Sequence, residues 1–309
     1  MKTNTATSVT TSLLAMAALG AVGCSSKKEE KPAKKPPASQ TKKAPATKKP
    51  APKKDPRTPQ IRKLTEKFKP ARGLISSENR PISDEKIALG RMLYFDARLS
   101  KNHDISCNSC HPLDNYGMDG EPTSPGHKGL RGGRNSPTVY FAAYHIDQFW
   151  DGRADDVEEQ AKGPIVNPVE MALPDGDAAV TMIKSIPGYA DPFAKAFPGE
   201  EDPITYDNIG IAIGAFERKL VALSDWDKIL KGEHTLLTDQ QFQGLQTFVE
   251  VGCTTCHEGP AVGGTQYKKM GAVVPWPGLT DKGRFDHTQK PEDTFFFKVP
   301  SLRNIALSA

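Results

Sequence analysis

Apolar residues in the most regular part of this 309-residue chain recur every three or four positions, which is the period of an α-helix. The clearest run would place four side chains on one helix face, namely Ile209, Ile213, Phe216 and Leu220. A second run, over residues 180–186, ends at a Pro-Gly pair that predicts a helix stop. No alternating stretch with hairpin turns competes with these patterns. We therefore predict a mainly α-helical chain.

A third helix is predicted to begin after Thr238, because Thr238 and Gln241 have the spacing of a capping box. Its apolar face would carry Phe242, Leu245, Phe248 and Val249. Between such segments lie two long connections rich in glycine and proline, residues 112–140 and 258–300. Ordinary loops are much shorter, so we interpret both connections as segments wrapped around a large cofactor.

The first 23 residues have the layout of a secretory signal, with one cation, Lys2, and an apolar run from Leu13 to Val22. This run is too short to cross a bilayer as a permanent helix. The tetrapeptide AVGC resembles a bacterial lipobox and predicts that Cys24 becomes the lipidated first residue of the mature protein. An ordinary cleaved signal with an incidental cysteine is the alternative. Both interpretations predict an exported protein.

Residues 24–59 are predicted to form a disordered tether. From Ser25 to Pro59 there are eight prolines and a net charge of +9, with few apolar residues to offset the entropy lost on ordering. A proline-rich chain of this length would reach roughly 100 Å, as a solvated leash or in contact with anionic lipid. Without the tether and Lys2, the chain carries about −6, so nucleic acid is not an indicated partner.

Two Cys-x-x-Cys-His pentads carry the strongest chemical signal. They comprise Cys107, Cys110 and His111 in the first copy, and Cys253, Cys256 and His257 in the second. Zinc, a redox disulfide and covalent haem all use this pattern. Zinc sites usually join pairs separated by a short span, whereas 142 residues separate these copies. A thioredoxin-like disulfide needs a βαβ setting, which the chain does not indicate, and does not require the histidines.

Covalent haem accounts for the whole pentad. Two thiols one helical turn apart would add to the two vinyl groups of haem, and the following histidine would be the proximal iron ligand. The preceding helices agree, because Gly90 with Tyr94 and Gly244 with Phe248 resemble the Gly-x-x-x-aromatic pair of cytochrome c N-terminal helices. Lipidation of Cys24 and two haem attachments would use all five cysteines. We therefore predict two c-type haems.

Four further stretches resemble the bacterial di-haem cytochrome c peroxidases over nearly all of residues 75–309. They are LGRMLYFDARLS (89–100), MDGEPTSPGHKGLRGGRNSPT (118–138), FWDGRADDVEEQAKGPIVNPVEM (149–171) and FKVPSLRNIALSA (297–309). The resemblance implies two cytochrome-c-like domains, each with one covalently bound c-type haem. It implies reduction of hydrogen peroxide to water with electrons from a small periplasmic protein, either a cytochrome c or a cupredoxin.

Four residues acquire roles from this resemblance. His127 matches the distal ligand of the peroxidatic haem, which leaves the iron when the partner haem is reduced. Glu170 matches the acid–base carboxylate above that iron, and Trp150 matches a tryptophan that would relay electrons between the haems. Asn135 matches a side-chain ligand of calcium between the domains. A carboxyl group in a haem pocket can have a raised pKa, which suits proton transfer between the two peroxide oxygens.

The remaining candidate ligands have weaker support. Surface or structural roles are expected for four histidines without a motif, His103, His145, His234 and His287. Met270 is interpreted as a packing residue rather than as an axial ligand. Members of the family continue past SLRNIALSA to the axial methionine of the second haem, so we expect the sequence to be incomplete beyond Ala309.

These assignments predict the following organisation. A lipoprotein signal (1–23) and the tether (24–59) would precede a peroxidatic, low-potential haem domain (60–222) and an electron-transferring, high-potential haem domain (223–309). The protein would be a lipid-anchored periplasmic peroxidase and a homodimer. One alternative is a related di-haem oxidase acting on a protein or organic substrate. The other is a non-enzymatic di-haem electron carrier or sensor, which would leave Glu170 without a role.

Overall fold

Short α-helices joined by 3₁₀ turns and irregular segments make up the computed structural model, which describes residues 54–75 and 79–307. The helices are α1 (Thr58–Leu64), α2 (Asp84–Tyr94), α3 (Cys107–Cys110), α4 (Val157–Val166), α5 (Gly176–Lys184), α6 (Ala190–Ala196), α7 (Tyr206–Glu217), α8 (Asp225–Leu230), α9 (Asp239–Glu250) and α10 (Phe285–Thr288). The predicted signal, Cys24 and residues 24–53 of the predicted tether lie outside the described residues.

The helical periodicity read from the sequence is confirmed. Helix α7 begins one residue after its N-cap, Thr205, and buries Ile209, Ile213 and Phe216, although it ends before Leu220. The capping box of α9 is present, because the Thr238 side chain accepts from the Gln241 N–H and the Thr238 N–H donates to Gln241 Oε1 at 3.0 Å. The predicted capping box therefore located the start of α9 correctly.

A small antiparallel sheet is the feature that the sequence did not predict. Strand β1 (Tyr267–Lys269) pairs with β2 (Phe296–Lys298), and Tyr267 lies opposite Lys298. Each strand has only three residues, and 26 residues separate the two strands. Neither a long alternating run nor a short turn marked them, because their pairing depends on contacts distant in sequence.

The larger of the hydrophobic clusters lies among α2, α4, α5, α6 and α7. Helices α2 and α7 approach so closely that a Cβ on Gly90 would overlap the carbonyl oxygen of Ala212. Four residues further along α2, the ring of Tyr94 packs edge-on against Phe216, with centroids 5.3 Å apart. The Gly-x-x-x-aromatic pair thus allows α2 to cross α7 closely, ahead of the first pentad in the sequence.

A second cluster lies among α1, α8 and α9 and is built around Ile61, Phe68, Ile229, Leu237 and Leu245. The segment that leads into it is ordered from within the predicted tether, because Asp55 is buried and accepts from Arg57. Gly244, the counterpart of Gly90, has nothing within 4 Å of a Cβ position. The two glycine-aromatic pairs therefore have different surroundings in the part of the chain that the structure describes.

Two buried bidentate ion pairs tie distant segments together. Arg218 donates to both carboxylate oxygens of Glu158 at 2.7 and 2.8 Å, and Arg303 donates to both oxygens of Asp227 at 2.8 Å. Removing one partner of such a pair typically costs about 3–5 kcal/mol, because a buried charge remains unpaired. Among the described helices, none is long and apolar enough to span a bilayer.

Candidate active site

The first pentad is held in a single helical turn, α3. Its N-cap, Ser106, donates its N–H to Ser109 Oγ at 3.0 Å, as one half of a capping box. The turn places the sulfurs of Cys107 and Cys110 one turn apart, as attachment to two vinyl groups requires. Both are free thiols, and burial raises the pKa of Cys107 to about 12. Neither sulfur is joined in a disulfide, so both are available for covalent attachment.

In both pentads, Nδ1 of the histidine lies beside a backbone carbonyl oxygen. His111 Nδ1 lies 3.3 Å from the carbonyl oxygen of Gly117, and His257 Nδ1 lies 3.3 Å from that of Val262. Since a carbonyl oxygen can only accept, each contact places the ring proton on Nδ1 and leaves the Nε2 lone pair for a metal. Metal-bound histidines are commonly oriented in this way. The pentads thus fit the haem that the sequence predicts.

Aromatic packing supports the second pentad. Its histidine, His257, donates its backbone N–H to the Cys253 carbonyl at 2.9 Å, which closes the turn between the two cysteines. The rings of Phe248 and His257 lie 6.4 Å apart between centroids. Phe248 is the aromatic member of the second glycine-aromatic pair, so the end of α9 positions the imidazole. Cys253 and Cys256 are free thiols.

The structure brings His127 and Glu170 together. The His127 side chain is buried, and its backbone N–H donates to the Glu170 carbonyl oxygen at 2.8 Å. The approach is so close that a Cβ on Gly126 would overlap the Val169 carbonyl oxygen. A glycine directly before a candidate ligand was a signal that the sequence analysis did not use. The loop carrying the predicted distal ligand is thereby docked on the segment carrying the predicted acid–base group.

Burial raises the pKa of the Glu170 carboxyl group. The positive charge of Arg153 and the Asn167 side chain oppose this shift only in part. Arg153 is itself held over the Phe149 ring, with 3.4 Å between the guanidinium carbon and the ring centroid, and it pairs with Asp151 at 3.0 Å. Sequence reasoning gave Arg153 no role, although it lies in the FWDGR stretch. Its charge tunes the carboxyl group through space.

Trp150 and Asn135 are also neighbours. The indole Nε1–H of Trp150 donates to the Asn135 carbonyl oxygen at 3.0 Å, and the Trp150 carbonyl oxygen accepts from Lys298 N–H at 2.8 Å. The Asn135 amide nitrogen donates to the Glu121 carbonyl oxygen at 2.8 Å. Its Oδ1 is therefore the side-chain atom that could ligate a cation. Trp150 therefore joins the loop that carries Asn135 to strand β2.

Glu217 is a buried acid that the sequence analysis missed. It is 5% exposed at the end of α7, and its charge is felt by the Cys107 thiol of the first pentad. Burial, and secondly the charge of Glu158, raise its pKa to about 8, while Arg218 opposes the shift. An acidic residue directly after the apolar run of α7 was the available signal. Glu217 therefore favours the neutral, protonated form more than an exposed glutamate does, and its charge acts on Cys107 of the first pentad.

Three of the other histidines, His103, His234 and His287, agree with their expected surface or structural roles. His103 and His287 are exposed, and His234 is buried with Nδ1 3.0 Å from Thr58 Oγ1. His145 is in contact with Lys298. The interpretation of Met270 as a packing residue was wrong, because its side chain is 46% exposed in the loop after β1. Within residues 54–75 and 79–307, no three His, Cys, Asp or Glu side chains converge to hold a metal ion.

Comparison with known proteins gives a consistent result. A family model described as di-haem cytochrome c peroxidase matches residues 84–235. The chain is 45% identical to cytochrome c551 peroxidase of Pseudomonas aeruginosa, over 78% of this chain and 71% of the relative. It is 45% identical to cytochrome c551 peroxidase of Nitrosomonas europaea, over 74% and 68%. A solved MauG-like protein associated with microbial copper homeostasis has a TM-score of 0.69 at 30% identity, covering 77% of this chain and 75% of that one.

Proposed function

Since the chain belongs to the di-haem cytochrome c peroxidase family, we propose that it reduces hydrogen peroxide to water with electrons from a small c-type cytochrome. The names of the curated relatives support a cytochrome as donor, and a cupredoxin is the alternative. The observation that carries the proposal is the 2.8 Å backbone hydrogen bond from His127 to Glu170. It joins the residues proposed as distal ligand and acid–base group.

Two c-type haems would be attached through the pentad cysteines. Cys107 and Cys110 would hold the first haem and Cys253 and Cys256 the second, with His111 and His257 as proximal ligands through Nε2. Bound haem would supply the redox-active iron at which peroxide is reduced. The chain's own contribution on the proximal side is the Nδ1 contact of each histidine with a backbone carbonyl, which holds the ring orientation.

Glu170 would carry the proton that peroxide cleavage moves. One peroxide oxygen must lose a proton and the departing oxygen must gain one, so a single carboxyl group that exchanges protons near neutrality serves both steps. Burial of Glu170 raises its pKa in the required direction. Arg153 would limit this shift and hold the carboxylate in place. Glu170 is accordingly our proposed catalytic acid–base residue.

His127 would gate access to the same site. As a distal ligand it would block peroxide until the second haem is reduced, and then move away. Trp150 would relay electrons between a first haem domain (60–222) and a second (223–309). Its position supports this, because it contacts both Asn135 and the strand that carries Lys298. The axial partner of His257 would be a methionine, and the exposed Met270 is not our candidate.

Three further features are proposed from the sequence: a calcium ligand, a lipid anchor and a homodimer. Asn135 Oδ1 would ligate a calcium ion, because the amide nitrogen is already engaged with Glu121. Cys24 would carry a lipid that anchors the protein in the periplasm, with the N-terminal part of the predicted tether (24–59) as the linker. Labelled palmitate should enter the wild type and not Cys24→Ser. A homodimer is expected for the assembled enzyme.

An oxidase acting on a protein or organic substrate is the second candidate. The likeness to the solved MauG-like protein, at 30% identity, is compatible with either candidate. The two candidates share the haem sites and differ in the electron source. A peroxidase draws electrons from a reduced donor protein, whereas an oxidase draws them from its substrate. The presence of a buried Glu170 does not distinguish them.

The deciding experiment is steady-state oxidation of reduced cytochrome c by hydrogen peroxide, using protein matured with haem. Wild type should consume peroxide and donor in a ratio of one to two. Cys107→Ala with Cys110→Ala should abolish turnover and leave one covalent haem per chain. Haem that extracts freely into acid–organic solvent would overturn the c-type assignment. Two covalent haems without turnover, with both irons staying low-spin after one-electron reduction, would favour the electron-carrier alternative.

A further inference from the structure

Lys298 is a buried lysine without a carboxylate partner. Its side chain lies on β2, the residue is 7% exposed, and its Nζ lies 2.9 Å from His145 Nδ1. It forms no ion pair with any carboxylate among the described residues. The nearest acid whose charge acts on it is Asp147, which instead accepts from the Tyr267 hydroxyl at 2.5 Å. A buried ammonium normally requires an anion, or it loses its proton.

His145 has an unsatisfied nitrogen in the same place. Its Nδ1 faces Lys298, and its Nε2 is buried without a hydrogen-bond partner in the described part of the chain. Buried nitrogen atoms in folded proteins are nearly always paired, so one without a partner needs an explanation. The Lys298 ammonium can only donate, so it donates to Nδ1 and the ring proton of His145 is on Nε2. A cation without an anion therefore lies beside an N–H group without an acceptor.

The position of this pair connects it with the second haem site. A Cβ on Gly264 would overlap the His145 ring, so this ring packs directly against the loop that follows the second pentad. In the same loop the Val262 carbonyl oxygen contacts Nδ1 of His257. The Lys298 N–H in turn donates to the Trp150 carbonyl oxygen at 2.8 Å. The pair thus lies between the proximal loop of the second pentad and the tryptophan segment.

We infer that Lys298 and His145 form a carboxylate-binding pair that receives a propionate group of the second haem. The inference rests on the proposed function, because it needs a haem at Cys253 and Cys256. Haem propionates are the carboxylates that this site would gain when the prosthetic group is attached. They would provide Lys298 with its anion and the Nε2–H of His145 with an acceptor. Burial, which lowers the pKa of Lys298 to about 8 without the anion, would then be offset by the ion pair.

Loss of the cation should lower the midpoint potential of the second haem. A positive charge beside a haem stabilises its reduced form, which has one positive charge fewer on the iron. Lys298→Met keeps the approximate shape and removes the charge. At a fixed solution potential, the ratio of reduced to oxidised second haem in Lys298→Met should fall on the order of tenfold. Lys298→Arg keeps the charge and should stay near wild type.

Potentiometric titration followed by visible spectra measures this ratio in the two-haem protein. The second haem is assigned by repeating the titration in Cys107→Ala with Cys110→Ala, which retains that haem alone. The matched control is Lys268→Met, the same charge change at an exposed position of the neighbouring strand β1. It should leave both potentials unchanged.

Potentials in Lys298→Met equal to wild type, or a shift confined to the first haem, would overturn the inference. A variant that does not fold with haem is replaced by His145→Phe, which leaves the lysine and removes the ring nitrogens. In His145→Phe the midpoint potential of the second haem should fall by less than in Lys298→Met. An unchanged potential would again overturn the assignment. Failure of the proposed function is separate, since it would show as missing covalent haem or absent turnover in the wild type.

Discussion

The backbone N–H of His127 donates to the Glu170 carbonyl oxygen at 2.8 Å, although 42 residues lie between the two in sequence. A loop with a candidate iron ligand and a turn with a candidate proton carrier are thus mechanically linked. If His127 moves when the partner haem is reduced, the hydrogen bond either breaks or moves Glu170 with it. Access to the site and the position of its acid–base group would then change together.

Gly126→Ala should disturb this link. A methyl group at residue 126 would overlap the Val169 carbonyl oxygen, so the His127 loop must retreat from the Glu170 segment. We expect a loss of about 1–3 kcal/mol in the free energy of unfolding and a larger high-spin fraction in the oxidised protein. Gly133→Ala, in the same loop with nothing within 4 Å, is the control for urea unfolding and visible spectra. Equal behaviour of the two variants would show that the close contact is unimportant.

His127→Gly should open the first haem site before any reduction. The His127 side chain is buried, and its backbone is bonded to Glu170. The sequence indicates no other residue that would take its place as distal ligand. The oxidised variant should be high-spin by electron paramagnetic resonance, and its turnover should not need prior reduction. His103→Gly, at an exposed position, should match wild type. A low-spin spectrum in His127→Gly would assign the distal ligand to another residue.

Glu170→Gln keeps the size of the side chain and removes its titrating proton. Peroxide should still bind, while cleavage of its O–O bond should slow by roughly 10²-fold or more, as measured by rapid mixing. Because burial raises the pKa of Glu170, the pH dependence of the wild-type rate should include a group that titrates above the ordinary carboxyl range. Glu201→Gln, at an exposed position, is the control. Wild-type rates in Glu170→Gln would exclude it as the proton carrier.

Glu217→Gln should stabilise the protein at neutral and alkaline pH. The pKa of Glu217 is raised from its ordinary 4.5 to about 8, so the folded state binds a proton that the unfolded chain releases. Stability from this residue is therefore complete below about pH 4.5 and is lost as the pH rises towards 8. We expect the glutamine variant to match wild type at pH 4.5 and to exceed it by about 1–3 kcal/mol at pH 8.

Urea unfolding of the haem-loaded protein across this pH range measures the difference. Glu201→Gln makes the same change at an exposed position and should follow wild type throughout. If Glu217→Gln and wild type lose stability in parallel between pH 5 and 8, the raised pKa does not belong to this side chain.

Local patterns were enough for the elements that depend on neighbouring residues. The capping box of Thr238 and Gln241 and the apolar run of α7 involve contacts within one or two turns, so their spacing can be read directly. The pentads are also local, since two thiols and a histidine must lie within one turn to attach and ligate haem. The mainly helical fold followed from the sequence for this reason, whereas the family and the peroxidase activity followed from the resemblance of longer stretches to a known family.

The sequence could not determine which distant backbones approach one another. Glycine is compatible with many conformations, so Gly126 could be assigned to the contact with Val169 only when both segments were in place. Strands β1 and β2 have too few residues for a periodic signal. The Lys298 N–H on β2 donates to the Trp150 carbonyl oxygen, a contact between segments far apart in sequence. The sign and size of a pKa shift likewise depend on burial, which no motif specifies.

For this protein, the sequence by itself determined the helical periodicity and the spacing that predicts two covalent haem attachments, and its family resemblance supplied a distal histidine candidate and a glutamate candidate. Only the tertiary structure decided which of these side chains are neighbours, which acids are buried and which cation lacks an anion. His145 and Lys298, 153 residues apart, illustrate the difference. Covalent attachment depends on spacing along the chain, whereas electrostatic pairing depends on distances through space that long-range packing alone sets.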